Sequence, residues 1–369
     1  MSKVMDYRRV AVLYGTTVGS RGVKIRRPDY NIGAKKHFED HLAAGRCTHA
    51  EVRQVISAVL RNNQLRDEVA NYLTATTKAI IVDEVFDANE LDLDLVRLAA
   101  SAGISTTVIG DPWQALYDFR GARPDLVPQL VKQEGFKPFP VAASFRFKTP
   151  DMIRVAEAAR SERSVALDTI NDPTGCDVVL AHKWDNIWSG PDCVLPLSFG
   201  RLDNQTDAAI ALLLDRLVKG HFAHSAIYAD EAAALLGLNP ESLRADGAIL
   251  ASVLETLRPG TAHAASTAIT ELRQALRELG SPRQLRRMPE EGELVQRNRL
   301  LALARRMNQP HLVAGMTVHQ AKGLEWPVVG VRLTAAESAR LAAGLKQDRF
   351  DDRVLYVALT RASKRVVLC

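Results

Sequence analysis

The stretch that most constrains the fold is an apolar run at residues 78–84 that ends in two acidic residues. It reads KAIIVDE, so three β-branched residues lead directly into Asp83 and Glu84. A helical pattern, LDLDLVRLAASAG, follows and ends at Gly103, and a second apolar run, STTVIGD, comes next. Strand, helix and strand in this order predict a right-handed parallel βαβ unit, with its loops at the carboxyl ends of the strands.

A second segment of alternating strands and helices begins near residue 139. Its predicted strands are FPVAASFR, CVLPLSF and HSAIYAD, and its predicted helices are TPDMIRVAEAARS and TDAAIALLLDRLVKG. Helical patterns then fill residues 238–307, including AITELRQALRELG and ELVQRNRLLALARRM. Strand patterns return in HLVAGMTVH and WPVVGVRL, before a helix around DRVLYVALTRA and a closing strand, KRVVLC. The fold class is therefore α/β, with two parallel-sheet layers of which the second is interrupted by a helical insertion.

Before the first strand, residues 35–75 show a helical pattern. Thr48 is a predicted N-cap residue, and Glu51 follows at the spacing of a capping box. The apolar residues of THAEVRQVISAVLRNNQLRDEVANYL then recur at helical intervals. This part of the chain is predicted to be helical.

Composition restricts the class of protein. The chain has 369 residues, which favours two or more cores, and its 47% hydrophobic and 25% charged content is that of a soluble globular protein. The longest apolar stretches are interrupted by charges well short of a membrane span, and MSKVMDYRRV has no apolar signal region. The four cysteines are scattered and have neither metal-ligand nor disulfide-framework spacing. A reducing cytoplasm is therefore the predicted compartment. The net charge of +5 mildly favours a polyanionic partner.

Polar side chains follow both strands of the first βαβ unit. Asp83 and Glu84 end the first strand, and Asp111 and Gln114 follow the second, so all four are predicted to lie at one edge of the sheet. This edge is where ligands of open α/β sheets bind, and carboxylates suit a magnesium nucleotide. The amide of Gln114 is suited to orienting a water or to contacting a terminal phosphate.

An aromatic cluster comes directly after Gln114. Tyr117, Phe119 and Arg120 place two rings and a guanidinium within four residues. Aromatic rings stack on the bases of single strands, and arginine contacts phosphate or stacks in turn. An ordinary turn with core aromatics is the alternative interpretation.

The C-terminal part holds further candidates. Arg146 lies at a predicted strand end, where a solvated surface arginine is the alternative. Thr317 and His319 leave a predicted strand and are suited to a sugar–phosphate backbone, while Glu325 can accept a hydrogen bond from a ribose; a charged β-hairpin-like loop is the alternative. Arg361 ends a short predicted helix, where a cation can stabilise charge on a transferring phosphoryl group.

Taken together in order, these stretches resemble a known family. IIVDEVFDAN, IGDPWQALYDFRGA, SFRFKTPDMI, MTVHQAKGLEW and RVLYVALTRA look like motifs II to VI of the UvrD/Rep-like superfamily 1 DNA helicases. The resemblance covers about residues 79–369 and is weak in the helical insertion. It implies two RecA-like domains that hold ATP between them while single-stranded DNA crosses their top, with movement usually 3′ to 5′.

The resemblance also implies roles for residues that match the motifs. Asp83 would hold Mg²⁺, Glu84 would be the base for the attacking water, and Gln114 would sense the γ-phosphate of ATP. Arg146 and Arg361 would be arginine fingers, and Glu325 would contact the ribose. The implied DNA contacts are Tyr117, Phe119 and Arg120 on the bases and Thr317 and His319 on the backbone. Single-stranded DNA or a single-strand/duplex junction is the implied partner, and a protein of a repair or defence complex is a further candidate.

Three smaller departures from the family pattern are present. Phe86 stands where the family usually has glutamine, which puts the coupling of nucleotide and DNA in question. The residues Ser144, Phe145 and Arg146 replace the usual Asn-Tyr-Arg but keep the arginine. The insertion before motif V is much shorter than the usual 2B subdomain.

The largest departure concerns the phosphate loop. Residues 1–78 contain no G-x-x-x-x-G-K-[ST] sequence; YGTTVGSRG and NIGAKKHF have glycines or lysines at the wrong spacing. That loop supplies the backbone amides and the lysine that bind phosphates. Two explanations are open: the chain is the C-terminal portion of a longer helicase, which the presence of motifs II to VI favours, or it is a Walker-A-less protein that binds DNA or a partner without turning over ATP. A nucleotide-independent scaffold is a third class, to which no residue points.

The predicted domain scheme follows from these assignments. Residues 1–78 are the helical remainder of a 1B-like region, and residues 79–135 form an incomplete first RecA-like domain. Residues 136–237 and 308–369 form the second RecA-like domain. Residues 238–307 are a short helical insertion in place of 2B.

Overall fold

The computed structural model describes residues 8–9, 46–47, 49–141, 144–239, 247–285 and 289–369. Two compact units are present, an N-terminal one that extends to residue 142 and a C-terminal one that begins at residue 143. Thr48, the predicted N-cap residue, lies outside the described residues, and so does the side chain of Glu51.

The helical start of the N-terminal unit consists of two helices. They are α1 (His49–Arg61) and α2 (Asn63–Thr76). Asn62 separates them, because its side chain accepts a hydrogen bond of 3.1 Å from the backbone N–H of Leu65 and so caps the second helix. The predicted helical segment at residues 35–75 is confirmed from His49 onward among the described residues, but its interruption at Asn62 was missed and Arg46–Cys47 forms a strand instead. Two short strands, β1 (Arg8–Arg9) and β2 (Arg46–Cys47), pair antiparallel in the same unit.

The predicted βαβ unit is confirmed. Strand β3 (Ala79–Val82) and strand β4 (Ser105–Val108) pair in parallel, in a register that sets Val82 opposite Val108. Helix α3 (Glu90–Ser101) connects them. It begins with a capping box formed by Asn89 and Asp92, and Gly103 beyond its end adopts a φ of 79°.

The two faces of this sheet differ in burial. Ile80 and Val82 are half-buried, and Val82 packs on a core formed by α3 and by helix α4 (Val127–Gln133), with Leu93 and Leu130 fully buried. On the other face Ile81 is 71% exposed, and Ile109 just beyond β4 is 49% exposed. Parallel sheets are normally covered on both faces, so this face is left open by the described residues.

The C-terminal unit is built on a five-stranded sheet in which every pair of neighbours is parallel. Its strands are β5 (Val178–Ala181), β6 (Val194–Pro196), β7 (Val313–Thr317), β8 (Trp326–Arg332) and β9 (Ala362–Leu368). Their spatial order is β6-β7-β5-β8-β9. The α/β fold class with parallel sheets is thereby confirmed.

The central strand of this sheet, β5, was not predicted. All of its residues are buried, and it pairs with β7 on one side and β8 on the other. Because β5 separates them, β7 and β8 do not form a hairpin, and the hairpin-like alternative for residues 317–326 is wrong. A fully buried strand has no alternation of apolar and polar residues, which is why VVLA carried little signal.

Helices flank the sheet and fill the connections between its strands. In chain order they are α5 (Pro150–Arg160), α6 (Trp184–Trp188), α7 (Gln205–Phe222), α8 (Ala229–Leu236), α9 (Gly247–Leu257), α10 (Ala262–Glu278), α11 (Glu290–Met307), α12 (Val318–Ala321), α13 (Ala335–Ala343) and α14 (Phe350–Leu359). The predicted helices at α5, α7, α10, α11 and α14 are confirmed. Helix α13 was not predicted.

The first of two wrong strand predictions is FPVAASFR. Its described residues, 139–141 and 144–146, belong to no strand. Phe139 and Val141 are each 86% exposed and Phe145 is 84% exposed, so the apolar side chains have no core to pack on. Pro138 and Pro140 also lack the N–H that a sheet requires.

The second wrong strand prediction is HSAIYAD. Ile227 donates its backbone N–H to the carbonyl of Leu197 at 2.8 Å, which is the start of strand pairing. The next residue, Tyr228, has a φ of 68° and turns the chain into helix α8. The left-handed backbone at Tyr228 therefore ends the strand pairing after Ile227, and a helix follows where a strand was predicted.

The helical segment at residues 247–307 is held to the sheet unit by buried polar side chains. Asp207, near the start of α7, is 6% exposed and accepts hydrogen bonds of 2.6 Å from both Gln296 and Arg299 of α11. Arg306 at the end of α11 is fully buried, and its guanidinium donates to the carbonyls of Val194 at 2.7 Å and Trp188 at 2.9 Å. Both anchors are long-range in sequence, so neither could be predicted from local patterns.

Membrane insertion through a helix finds no support in the part of the chain that the structure describes. No helix there combines the length and the apolar character that a span requires.

Candidate functional site

The paired acidic residues lie in a strained turn at the carboxyl end of β3. Glu84 adopts a left-handed conformation, with φ 54° and ψ 43°, and its backbone N–H donates to the Asp83 carboxylate at 2.8 Å. The backbone N–H of Val85 then donates to the carbonyl of Ile109 at 2.9 Å, which ties this turn to the end of the neighbouring strand. Left-handed backbone at a residue other than glycine costs about 1–3 kcal/mol and is concentrated at functional sites.

Asp111 and Gln114 lie at the same edge of the sheet, because Val82 and Val108 end paired parallel strands. The Asp111 carboxylate caps a short 3₁₀ turn by accepting the N–H of Trp113 at 3.1 Å. It also accepts a hydrogen bond of 3.0 Å from the side-chain amide of Gln114. Asp111 therefore fixes the orientation of the amide that the sequence singles out.

The side chains of the aromatic cluster contact one another in one group at the surface. The rings of Tyr117 and Phe119 meet edge to face, with centroids 5.9 Å apart. The guanidinium carbon of Arg120 lies 4.7 Å from the Tyr117 ring centroid and 5.5 Å from that of Phe119. Phe119 is 63% exposed, so the ring is available to a partner. The interpretation as ordinary core aromatics is wrong for Phe119.

Phe86, which replaces the usual glutamine, packs into the core of the N-terminal unit. It is half-buried against the cluster that contains Val85, Leu93 and Leu130. A Cβ atom at Gly110 would lie 2.9 Å from its ring, so the glycine provides the space for it. At this position an apolar side chain that packs in the core stands where the family usually has a polar one.

In the C-terminal unit three predicted residues meet at the amino ends of β8 and β9. Arg146 donates to Glu325 at 3.2 Å and to the carbonyl of Thr360 at 3.0 Å. Arg361 is 1% exposed, and its guanidinium donates to the carbonyls of Val357 at 3.2 Å and Leu324 at 3.4 Å. The solvated-surface alternative for Arg146 is wrong, because this arginine holds two elements together.

Thr317 and His319 lie at the opposite edge of the same sheet. Thr317 is the last residue of β7, is 6% exposed and pairs in register with Ala181 of β5. His319 on α12 stacks on His182, which follows β5, with ring centroids 5.9 Å apart. The seven residues of β8 separate the two edges by about 20 Å. The structure thus groups Arg146, Glu325 and Arg361 and places Thr317 and His319 apart from them.

His182 is a candidate that sequence reasoning missed, and it brings a buried carboxylate with it. Its Nδ1 lies 3.5 Å from a carboxylate oxygen of Glu337, which is 4% exposed. Glu337 also forms a capping box with Thr334 at the start of α13. The signal was the apolar run VVLA ending in a histidine, which was lost because β5 itself was not recognised.

The ionisation of Glu337 reflects two opposed effects. Burial disfavours the carboxylate, but hydrogen bonds from His182 and Thr334 outweigh burial and lower the pKa of Glu337 to about 2. A carboxyl whose pKa is lowered in the folded state stabilises that state above its ordinary pKa of 4.5. This stabilisation is lost as the pH falls from 4.5 toward 2.

The variant Glu337→Gln tests this account, because glutamine keeps the shape and removes the charge. We expect its free energy of unfolding at pH 7 to be lower by about 1.5–3 kcal/mol, the contribution of hydrogen bonds to a charged group. We also expect a weaker loss of stability than in the wild type between pH 5 and pH 2. Urea denaturation followed by tryptophan fluorescence across this pH range measures both quantities. The exposed Glu157→Gln is the matched control, and parallel pH curves for wild type and Glu337→Gln would contradict the assignment.

A magnesium site would have to draw on few protein ligands. Among the described residues no group of three or more His, Cys, Asp and Glu side chains is arranged to hold a metal ion. Magnesium is often bound by one or two carboxylates together with substrate phosphates and waters, so Asp83 and Glu84 fit that pattern.

Two family models match the chain. The UvrD/REP helicase N-terminal domain matches residues 33–134, and the UvrD-like helicase C-terminal domain matches residues 242–369. Together the two models cover more than half of the chain. The candidate residues of both units lie within the matched ranges, except Arg146 and His182.

One curated relative is similar over a short region. The Probable DNA helicase II homolog of Mycoplasma capricolum subsp. capricolum is 32% identical over 74 residues, which is 20% of this chain. The matched region spans 10% of the length of that relative.

Proposed function

Because the chain belongs to the UvrD/Rep-like helicase family, we propose that it acts in ATP-dependent translocation or strand separation on DNA, with 3′ to 5′ polarity. The observation that carries this proposal is the aromatic cluster of Tyr117, Phe119 and Arg120 at the surface. The cluster follows Gln114 in the connection after strand β4. Exposed rings beside an arginine are the groups on which the bases of a single strand stack. The proposed partner is single-stranded DNA or a single-strand/duplex junction.

The nucleotide-facing roles rest on chemistry and position. Asp83 would bind Mg²⁺, Glu84 would accept the proton of the attacking water, and Gln114, oriented by Asp111, would contact the terminal phosphate. When bound, MgATP supplies the phosphoryl transfer whose free energy drives movement. The strained backbone at Glu84 supports a site at this edge of the sheet.

The roles of the C-terminal residues follow the same logic. Arg146 and Arg361 would stabilise charge on a transferring phosphoryl group, and Glu325 would accept a hydrogen bond from the ribose. Arg361 is directed toward backbone carbonyls in this structure, so this role requires its guanidinium to turn outward. Thr317 and His319 would contact the DNA backbone from the other edge of the sheet.

The missing phosphate loop determines the behaviour of this chain by itself. No G-x-x-x-x-G-K-[ST] sequence occurs in it, so the chain does not supply a loop of this kind to bind phosphates beside Asp83 and Glu84. We expect the isolated chain to bind single-stranded DNA in a strongly salt-dependent way and to hydrolyse ATP negligibly. DNA binding by fluorescence anisotropy and phosphate release with and without DNA measure the two expectations.

Each measurement can contradict a separate part of the proposal. Robust DNA-stimulated turnover that Glu84→Gln abolishes would show that the chain has its own phosphate-binding element. No detectable binding to single-stranded DNA would contradict the DNA-facing role.

An accessory protein without ATP turnover is the second candidate function. The packing of Phe86 into the core favours it, because a polar contact near the nucleotide is thereby lost. Such a protein would bind DNA, or a partner in a repair or defence complex, in the cytoplasm. A change in DNA affinity on addition of MgATP at millimolar concentration would count against this candidate.

A further inference from the structure

A cleft of about 1630 Å³ lies in the N-terminal unit, between the α1–α2 pair and α3. Its lining follows α3 from Glu90 to Ala102, so the cleft extends along the whole helix, about 18 Å. At one end it is lined by Arg120 and Gly121, which immediately follow the exposed ring of Phe119. The cleft and the aromatic cluster are therefore continuous.

Positive charge predominates in this cleft. Among the described residues six arginines and three carboxylates line it. Arg66 and Arg97 pair with the lining carboxylates of Asp67 and Asp94, and Arg123 pairs with Asp125 beyond the lining, so the excess is two positive charges. The arginines are Arg53, Arg61, Arg66, Arg97, Arg120 and Arg123. Arg53, Ser57 and Arg61 follow one another at intervals of four along α1, so they share one face of the helix. A row of arginines separated by a hydroxyl is suited to successive phosphates.

The cleft differs in chemistry from the cluster at its end. None of the described residues that line it is aromatic, whereas the neighbouring cluster has two rings. Bases stack on rings, and phosphates bind guanidinium groups without regard to sequence. The two surfaces are thus suited to different parts of one polynucleotide.

We propose that the cleft between α1, α2 and α3 is a second segment of the single-strand binding surface, which holds the sugar–phosphate backbone beyond the bases that stack on Tyr117 and Phe119. This inference rests on the proposed function and adds a longer binding site to it. Short oligonucleotides would occupy the aromatic cluster alone. Longer ones would also fill the cleft, with more phosphates neutralised and a steeper dependence on salt.

The test compares two lengths of oligothymidylate, dT6 and dT20, with the full chain. We expect the wild type to bind dT20 with a steeper slope of log Kd against log salt concentration than dT6. The double variant Arg53→Ala/Arg61→Ala should keep the dT6 affinity. Its slope for dT20 should be smaller by about 1.4, because each phosphate contact on a single strand contributes about 0.7. This change corresponds to about 25-fold weaker dT20 binding at 0.1 M salt.

The matched control removes two lysines of the same unit that do not line the cleft. Lys132→Ala/Lys137→Ala has the same change in net charge and should bind dT20 as the wild type does. Circular dichroism and thermal unfolding check that both double variants are folded, as expected for exposed side chains.

The outcomes separate this inference from the proposed function. Equal slopes for dT6 and dT20 in the wild type, or equal behaviour of the two double variants, would overturn the inference while dT6 binding stands. Loss of affinity confined to a forked duplex would assign the cleft to duplex DNA and would also overturn it. If neither oligonucleotide binds, the proposed DNA function fails and the inference fails with it.

Discussion

Replacing Arg306 by alanine is expected to lower the free energy of unfolding of the C-terminal unit by about 3–5 kcal/mol, the range for truncating a large, fully buried side chain to alanine. The side chain is fully buried, and burial lowers its pKa to about 10, so it remains charged at neutral pH. Its guanidinium donates hydrogen bonds to the carbonyls of Val194, Trp188 and Ala302. It also lies 3.4 Å from the carboxylate of Asp192. Alanine would leave these acceptors unpaired in a cavity.

The loss has a local optical signal. The guanidinium carbon of Arg306 lies 4.6 Å from the ring centroid of Trp188, which in turn stacks on Phe199 at 4.3 Å. Urea denaturation followed by tryptophan fluorescence therefore reports directly on this region. For a unit of this size the expected shift in melting temperature is about 6–20 °C.

The adjacent arginine is the matched control. Arg305 contacts the same carboxylate of Asp192, at 3.3 Å, but its side chain is 55% exposed. We expect Arg305→Ala to change the free energy of unfolding by less than about 1 kcal/mol, as is usual for an exposed ion pair. Similar losses for both variants would show that the buried hydrogen bonds of Arg306 do not hold the helical segment to the sheet.

Replacing Phe119 by alanine is expected to weaken binding to single-stranded DNA by about 5- to 150-fold, because base stacking on one ring contributes about 1–3 kcal/mol. The ring is 63% exposed, so its removal should leave folding stability nearly unchanged. Fluorescence anisotropy with labelled dT6 measures the affinity. The variant Arg120→Ala should also weaken binding and lower the salt dependence, since a phosphate contact is lost.

A second exposed phenylalanine in the same unit provides the control. Phe139 is 86% exposed and lies outside the aromatic cluster, so Phe139→Ala should bind dT6 with wild-type affinity. Unchanged binding by both Phe119→Ala and Arg120→Ala would show that DNA contacts another surface. An equal loss in Phe139→Ala would indicate nonspecific contact with exposed rings.

Local patterns predicted the elements whose side chains alternate between core and solvent. The βαβ unit from Ala79 to Val108 and the amphipathic helices α5 and α10 fall in this class. Strand β5 was missed because it is buried on every side, and HSAIYAD was misassigned because Tyr228 turns the backbone. A short stretch of sequence does not show that strands distant in the chain will bury it, nor that one of its residues will adopt a left-handed backbone.

The candidate site was predictable to a similar extent. Sequence order placed Asp83, Glu84 and Gln114 at one sheet edge and indicated the exposed rings after them. The opposite edges of the second sheet could not be inferred, because strand order in space differs from order in the chain. The pairing of His182 with Glu337 depends on this same order, since it joins residues that follow two neighbouring strands.

The open face of the β3–β4 sheet has a practical consequence for the handling of the protein. Ile81 and Ile109 present apolar surface beside strands of only four residues each. Exposed apolar surface promotes association between copies of a protein when its concentration is high, and a net charge of +5 offers limited repulsion. Colloidal stability is therefore expected to depend on this face, and dilute samples are the appropriate ones for solution measurements.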